Sequence, residues 1–177
     1  MSVGESLGPV DPGAPAFPGS PGRVRPATRQ DLDQVLETER LCFSTPWSRI
    51  TFDGLLGRDT VCFKVLEVGG EVVGHGVLWW VGPEAELANL AVVPSQRGRG
   101  GGALLLDDLL AEAAFRGVER VFLEVRESNG AARSLYEDRE FVPVGRRPRY
   151  YQKPTEDAVV MALDLATDIH PESDGHG

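Results

Sequence analysis

Apolar and polar positions follow two periods along this chain, about 3.6 residues in some segments and two in others. The helical period is found over four segments, residues 31–42, 45–56, 101–116 and 129–137. In the first of them Glu39 falls on the same face as the apolar residues. In the second, Ser44 or Thr45 is predicted to cap the helix, with Pro46 in its first turn.

Runs with the period of a strand occupy most of the remaining chain between residues 23 and 165. They are found at residues 23–26, 61–68, 72–81, 86–93, 121–125, 141–145 and 158–165. Gly69 and Gly70, between the second and third runs, are a two-residue hairpin signal. The order β-α-α-β-β-β-α-β-α-β-β predicts an α/β fold, a mixed central sheet of about seven strands flanked by about four helices.

The two ends of the chain differ from the middle in composition. Residues 1–22 contain five prolines at every third position and five glycines, which predicts a disordered extension that cannot bury a core. This segment has neither the basic start and apolar stretch of a signal peptide nor the arginines of a transit peptide. Residues 166–177 are polar and are expected to form a flexible tail. A single domain is therefore predicted over residues 23–165.

Composition narrows the class of protein. The 177 residues contain 27 Asp and Glu against 18 Lys and Arg, a formal net charge of −9. This balance argues against direct binding of nucleic acid or anionic membranes, and no apolar run approaches the roughly 20 residues of a membrane span. The two cysteines and three histidines lack metal-ligand spacing, so we expect no metal site and a reducing, cytoplasmic environment.

The segment Arg97-Gly-Arg-Gly-Gly-Gly102 lies between a predicted strand and a predicted helix. The first N–H groups of a helix lack internal partners, and glycines let an anion approach them. The segment therefore predicts a phosphate or pyrophosphate site, with a tight connection that binds no ligand as the alternative. A P-loop is excluded because no Lys-Ser/Thr pair follows Gly102, and the dinucleotide fingerprint fits only loosely.

This segment resembles the pyrophosphate loop of the GNAT family of N-acetyltransferases, whose motif is Arg/Gln-x-x-Gly-x-Gly/Ala. The resemblance extends to Leu90-Ala-Val-Val-Pro94 before the loop. It also extends to Leu123-Glu-Val-Arg-Glu-Ser-Asn-Gly-Ala-Ala-Arg-Ser-Leu-Tyr136 after it. This later segment is similar to the bacterial ribosomal-protein-alanine N-acetyltransferases of RimI type, as are Pro46-Trp-Ser48 and Glu156-Asp-Ala-Val-Val-Met161. The resemblance covers residues 24–165.

The resemblance implies an enzyme that moves an acetyl group from acetyl-CoA to the α-amine of an N-terminal alanine. The implied substrate is a small-subunit ribosomal protein, and the implied mechanism is direct attack. Glu124 matches the family's general base, and Tyr136 matches its general acid. Contacts to acetyl-CoA are implied for Leu90, Ala91, Val92, Arg97, Gly98, Arg99, Gly100, Gly101, Gly102, Ala103 and Asn129.

The two catalytic assignments compete with structural roles. Glu124 could instead form an ion pair with Arg126 or Arg120, of which Arg126 is the nearer on the same strand face. Tyr136 could be a core residue, because an apolar neighbour precedes it and Phe141 follows it closely.

Three aromatic residues are candidates for a wall that binds the peptide substrate, Trp47, Tyr150 and Tyr151. We expect the two tyrosines in the loop between the last two strands, although each of the three could equally be a core residue. Trp79 and Trp80 are predicted to lie on opposite faces of one strand, with core packing as the default.

The sequence departs from the family pattern after the last helix, where Arg139-Glu-Phe141 stands in place of the usual Leu-Gly-Phe. The missing glycine puts the turn into the next strand in doubt. Within the loop, Gly98 and Gly101 fall at positions that the motif leaves free. Alanine at either is therefore expected to weaken cofactor binding less than alanine at Gly100 or Gly102.

Two rival functions stay open. One is a broader N-terminal or lysine acetyltransferase, and the other is a non-catalytic module that binds acyl-CoA. We expect a monomer in either case.

Overall fold

Between residues 22 and 165, seven strands and four α-helices follow one another in the order that the sequence predicts. The computed structural model describes residues 22–165, so the predicted tails lie outside the described residues, except for Gly22. The strands are β1 Arg23–Pro26, β2 Val61–Val68, β3 Glu71–Val81, β4 Glu84–Val92, β5 Arg120–Arg126, β6 Val142–Tyr151 and β7 Glu156–Asp164. The helices are α1 Leu32–Cys42, α2 Arg49–Leu55, α3 Gly101–Phe115 and α4 Gly130–Asp138. Among residues 22–165, no helix is both long and apolar enough to cross a bilayer.

The strands form one sheet with the order β1-β2-β3-β4-β5-β7-β6. Every neighbouring pair is antiparallel except β4 and β5, which run parallel. These two strands pair only at their beginnings, over residues 84–86 of β4 and 120–122 of β5. Beyond this point β4 and β5 diverge, and the backbone of residues 87–92 faces an opening in the middle of the sheet.

A β-bulge in β4 changes which residues face each side of the sheet. Val77 of β3 lies opposite Asn89 and Leu78 lies opposite Leu87, so Ala88 is the extra residue. Leu87 therefore packs in the core beneath α3, whereas both Ala88 and Asn89 face α1 on the other side. The bulge brings a polar side chain into contact with α1.

Helices cover both faces of the sheet, as predicted. On one face α3 and α4 bury a cluster that includes Leu106, Leu109, Leu123, Phe141 and Met161. On the other face α1 and α2 bury Leu32, Val35, Leu36, Phe52, Phe63 and Val77. The predicted apolar face of the first helix is confirmed.

The beginning of α2 differs from the prediction. Ser48 caps the helix, because its Oγ accepts a hydrogen bond from the Thr51 N–H at 3.2 Å. The predicted cap at Ser44 or Thr45, with Pro46 in the first turn, is wrong. The Trp47 N–H donates to the Glu39 carboxylate at 3.1 Å, so this part of the chain is anchored on α1 instead of being helical.

The strand β6 is longer than predicted and extends to Tyr151. Tyr150 and Tyr151 therefore end the strand, and the prediction that they lie in the following loop is wrong. The loop consists of residues 152–155. Because β6 is an exposed edge strand whose pairing with β7 is irregular, its sequence does not alternate between apolar and polar residues.

Candidate active site

The glycine-rich loop turns directly into the N-terminus of α3. Gly98 and Gly100 have φ values of 76° and 83°, in the left-handed region that favours glycine. The first backbone bond of the helix runs from the Leu104 N–H to the Gly100 carbonyl at 3.0 Å. The N–H groups of residues 101–103 precede it and are positioned to bind an anion at the positive end of the helix dipole.

Arg97 connects this loop to the end of β4. Its Nε donates to the Val92 carbonyl at 3.1 Å, and its Nη2 lies 3.4 Å from the Cys42 sulfur. Arg97 therefore holds the loop beside the diverging part of β4. The structure brings the predicted pyrophosphate loop next to residues 90–92, for which contacts to acetyl-CoA are implied.

Glu124 lies on β5, on the far side of the same opening. Its Oε1 is 2.9 Å from Nε of Arg147 on β6, whose side chain is 59% exposed. Tyr150 also bonds to the Glu124 carboxylate, and this bond raises the pKa of Tyr150 to about 12. The carboxylate is therefore held by two residues from the neighbouring part of the sheet.

The predicted alternative partners of Glu124 are engaged elsewhere. Arg126 pairs with Glu156 at 3.3 Å, and its guanidinium lies 4.4 Å from the centre of the Tyr151 ring. Arg120 pairs with Asp164 at 3.3 Å. The expected alternative, an ion pair of Glu124 with Arg126, is wrong, since Arg147 takes that place.

Tyr136 lies on α4 and is buried against Phe141, with ring centres 5.7 Å apart. Burial raises the pKa of Tyr136 well above its ordinary value, and nearby Tyr151 adds to the rise. The phenol consequently keeps its proton at neutral pH and is a hydrogen-bond donor. The two predicted roles of Tyr136, as a core residue and as a hydrogen-bond donor, are therefore compatible.

A cavity of about 510 Å³ opens beside Glu124. Its lining includes Trp79, Glu84, Glu86, Phe122, Arg147 and Tyr150. Three carboxylates, those of Glu84, Glu86 and Glu124, face a wall of aromatic rings, a combination that suits a cationic amine attached to a peptide.

The three predicted wall residues have different positions. Tyr150 lines the cavity. The Tyr151 ring packs edge-on against the Tyr150 ring, with ring centres 5.1 Å apart. Trp47 is half-buried and stacks on Trp79, with ring centres 5.8 Å apart and planes 3° from parallel. Trp79 and Trp80 lie on opposite faces, as predicted, and each packs against a different core cluster. Trp79 also lines the cavity and donates from Nε1 to Glu86 at 3.0 Å.

Asn129 caps α4, because its Oδ1 accepts from the Ala132 N–H at 3.1 Å.

A polar cluster on the other side of β4, made of Glu39, His75 and Asn89, was not predicted from the sequence. The sequence carries one signal of this cluster, a glutamate on the apolar face of the first helix.

Comparison with known proteins agrees with this geometry. The profile of the Acetyltransferase (GNAT) family matches residues 32–141. The chain belongs to the GNAT acetyltransferase family.

Within that family, similar proteins carry a more specific name. The [ribosomal protein bS18]-alanine N-acetyltransferase of Haemophilus influenzae is 38% identical over 138 residues, which cover 76% of this chain and 93% of that protein. The protein of the same name from Escherichia coli K12 is 36% identical over 140 residues, covering 77% and 93% of the two chains. The crystal structure of the ribosomal-protein-S18-alanine N-acetyltransferase from Escherichia coli covers 83% of this chain and 97% of its own, with a TM-score of 0.75 and 33% identity. Ard1 from Thermoplasma volcanium has a TM-score of 0.76 at 26% identity, covering 82% and 99%.

Proposed function

We propose that this protein transfers the acetyl group of acetyl-CoA to the α-amine of the N-terminal alanine of a small-subunit ribosomal protein. The observation that carries the proposal is that the pairing of β4 with β5 ends at residues 86 and 122, with the glycine-rich loop after β4 and Glu124 on β5. The named relatives, 36–38% identical over about three quarters of the chain, support the choice of substrate.

Two parts of acetyl-CoA are assigned to residues of this chain. The N–H groups of residues 101–103 would hold the pyrophosphate, and Gly98 and Gly100, which have positive φ and no side chains, would leave room for it. The backbone of residues 90–92, which β5 leaves free, would pair with the extended pantetheine arm. Acetyl-CoA, once bound, supplies an activated thioester at the opening of the sheet.

Glu124 is proposed to remove a proton from the acceptor amine. An α-amine has a pKa of about 7.7–8.0, so roughly a tenth to a sixth of it is already neutral at pH 7, against about one in 2,500 for a lysine amine. A carboxylate acting directly or through one water is sufficient for the α-amine. Before the reaction, the ammonium form can replace the exposed Arg147 as the partner of Glu124.

Tyr136 is proposed to stabilise the departing sulfur. The amine attacks the thioester carbonyl, the amide bond forms, and the carbon–sulfur bond breaks with the electron pair moving to sulfur. Because burial raises the pKa of Tyr136, its phenol stabilises the thiolate by a hydrogen bond without full transfer of its proton being strongly driven. Asn129 is proposed as a further acetyl-CoA contact besides its capping role.

The test is mass spectrometry of a peptide panel incubated with the purified protein and acetyl-CoA. We expect acetylation of peptides that begin with alanine and carry a free α-amine. Glu124→Gln should lower kcat by about 10²–10⁴-fold, the usual effect of losing a general base, with little change in acetyl-CoA affinity. Glu112→Gln, which removes a partly exposed carboxylate on α3 paired with Arg116, is the matched control and should retain full activity.

The rival functions give different results in the same experiment. Equal labelling of peptides with a blocked N-terminus and a free lysine would support a broader acetyltransferase. Binding of acetyl-CoA without transfer to any amine would support a non-catalytic module. Action as a monomer in the cytoplasm, without direct nucleic-acid contact, is part of the proposal.

A further inference from the structure

A carboxylate lies in the interior of the protein where three elements meet. Glu39 on α1 is 1% exposed, and its Oε2 lies 2.9 Å from Nε2 of His75 on β3, which is fully buried. Nδ2 of Asn89 on β4 donates to both carboxylate oxygens at 3.1 Å. The backbone N–H of Trp47 donates to Oε1, also at 3.1 Å. Three groups distant in sequence therefore converge on Glu39.

Packing alone does not favour glutamate at this position. Glu39 shares the buried face of α1 with Leu32, Val35 and Leu36, and an apolar side chain would complete that face. Burying a charge is costly, and replacing a buried ionic group by an apolar residue is often neutral or stabilising. The presence of glutamate at position 39 is therefore explained by the polar groups that its carboxylate orients, and not by packing.

One of these groups is the β-bulge next to the candidate acetyl-CoA strand. Asn89 sits on the bulge and immediately precedes residues 90–92. Because its Nδ2 is directed at Glu39, its Oδ1 points away from the carboxylate, and it is buried without a hydrogen-bond partner among residues 22–165. Glu39 thus fixes both the course of the bulge and the direction of the Asn89 amide.

The other group is the Trp47 N–H, in the segment that follows α1. The bond to the Trp47 N–H fixes where the chain runs after α1, and the Trp47 ring stacks on Trp79. Trp79 lines the cavity and donates to Glu86 within it. A continuous series of contacts therefore leads from Glu39 to the wall of the cavity that contains Glu124.

We propose that Glu39 is a positioning residue for the acceptor peptide, which acts by holding Trp47 and Asn89 in place. This inference rests on the proposed function, because the cavity is taken as the acceptor site. None of the hydrogen-bond partners of Glu39 among residues 22–165 lines the cavity, so its removal should affect peptide binding through the stacked indoles.

Glu39→Gln is the variant that tests this role, since it keeps the shape of the side chain while removing its charge and one acceptor oxygen. We expect KM for an alanine-starting peptide to rise about tenfold, as for one weakened hydrogen bond to a charged group. KM for acetyl-CoA and kcat should stay within about threefold. The matched control is Asp31→Asn, another buried carboxylate, which bonds to Arg25 and Thr28 near the sheet edge. It should lose stability without changing either KM.

A second readout does not depend on catalysis. Near-ultraviolet circular dichroism reports how rigidly aromatic side chains are held. The tryptophan signal should weaken in Glu39→Gln and in Trp79→Phe, and it should be retained in Asp31→Asn. If the wild-type protein acetylates no peptide, the proposed function fails, yet this measurement still tests whether Glu39 holds the indole pair.

The outcomes separate clearly. A folded Glu39→Gln protein with an unchanged tryptophan signal and unchanged peptide KM overturns the proposal. If that variant does not fold, Asn89→Ala removes the donor that contacts both carboxylate oxygens while leaving Glu39 with its contacts to His75 and Trp47. It should show both changes in weaker form, and the absence of both would also overturn the proposal.

Discussion

Glu140 adopts a backbone conformation that normally belongs to glycine, with φ of 67°. It ends α4 in a Schellman motif, because the Phe141 N–H bonds to the Tyr136 carbonyl at 3.1 Å and the Glu140 N–H bonds to the Glu137 carbonyl at 2.9 Å. The same turn packs Phe141 against Tyr136. The glycine of the family pattern is thus missing from the sequence, but the turn that it favours is preserved, together with the position of the proposed acid.

Restoring this glycine should stabilise the protein. A residue other than glycine costs about 1–2 kcal/mol in the left-handed region, and glycine in turn loses about 0.5–1 kcal/mol more backbone entropy on folding. We therefore expect Glu140→Gly to raise the free energy of unfolding by about 0.5–1 kcal/mol, measured by denaturant titration. Glu140→Ala keeps the strained φ and should give no gain. An equal gain in both variants would show that the charge of Glu140, and not its φ, is the cause.

The sequence predicted the candidate catalytic residues better than it predicted the residues that contact them. Glu124 lies on β5, which the sequence predicted as a strand, but its partners Arg147 and Tyr150 come from a strand whose length the sequence did not reveal. Glu39 and His75 are 36 residues apart, and no local pattern connects them. Only contacts between distant segments identify such a cluster.

At the scale of elements, the entrance to α3 depends on two left-handed residues. Gly98 and Gly100 have positive φ, whereas Gly101 and Gly102 continue into the helix with ordinary φ. A Cβ on Gly102 would lie 3.6 Å from Cδ2 of Leu135, an ordinary contact. The backbone therefore ranks the four glycines differently from the motif, with Gly98 among the demanding positions and Gly102 among the tolerant ones.

Single alanine substitutions should show this order in acetyl-CoA affinity. Gly98→Ala and Gly100→Ala should each weaken binding about five- to tenfold. Alanine is disfavoured in the left-handed conformation by about 1–2 kcal/mol, so the loop either adopts the binding conformation at this cost or rearranges. Gly102→Ala should weaken it less than about threefold. Isothermal titration calorimetry measures these affinities, and a larger loss in Gly102→Ala than in Gly100→Ala would contradict the ranking.

Periodicity predicted the elements best where one face is buried. The first helix and the strands β2 and β3 agree with the prediction to within about a residue, because their apolar positions face the core. Periodicity also misplaced the start of α2, where Ser44, Thr45 and Ser48 can each cap a helix and the bond from Trp47 to Glu39 decides between them. The bulge at Ala88 also leaves no mark in the sequence, since it depends on pairing with β3.

At the scale of the whole molecule, the site is divided between two parts of one sheet. The strands β1 to β4 carry the loop and the free edge at residues 90–92, and β5, β7 and β6 carry the Glu124 side of the cavity. Across the sheet, the two parts pair at residues 84–86 of β4 and 120–122 of β5, and the Glu119 and Arg120 N–H groups also bond to the Pro83 carbonyl. The two sides of the site are therefore joined at the beginnings of β4 and β5.

The outer edge of the first part depends on β1, and Arg25 is its main anchor. Arg25 bonds to both oxygens of Asp31 at 2.8 Å and to Glu67 on β2 at 3.1 Å. These bonds hold the pKa values of the Asp31 and Glu67 carboxyl groups below their usual range. Asp31 is buried, so loss of the guanidinium would leave its charge without the main partner.

Two truncations test this account of the edge. Removing residues 1–21 leaves β1 intact, so the free energy of unfolding and kcat/KM should stay within about 0.5 kcal/mol and twofold of the full chain. Removing residues 1–26 deletes β1 and should destabilise the protein by about 3 kcal/mol or more, the usual cost of breaking a buried ion pair. Denaturant titration of both proteins measures the difference. Equal stability of the two truncated chains would show that β1 does not anchor the sheet. A loss of stability on removing residues 1–21 alone would show that this segment contributes to the fold.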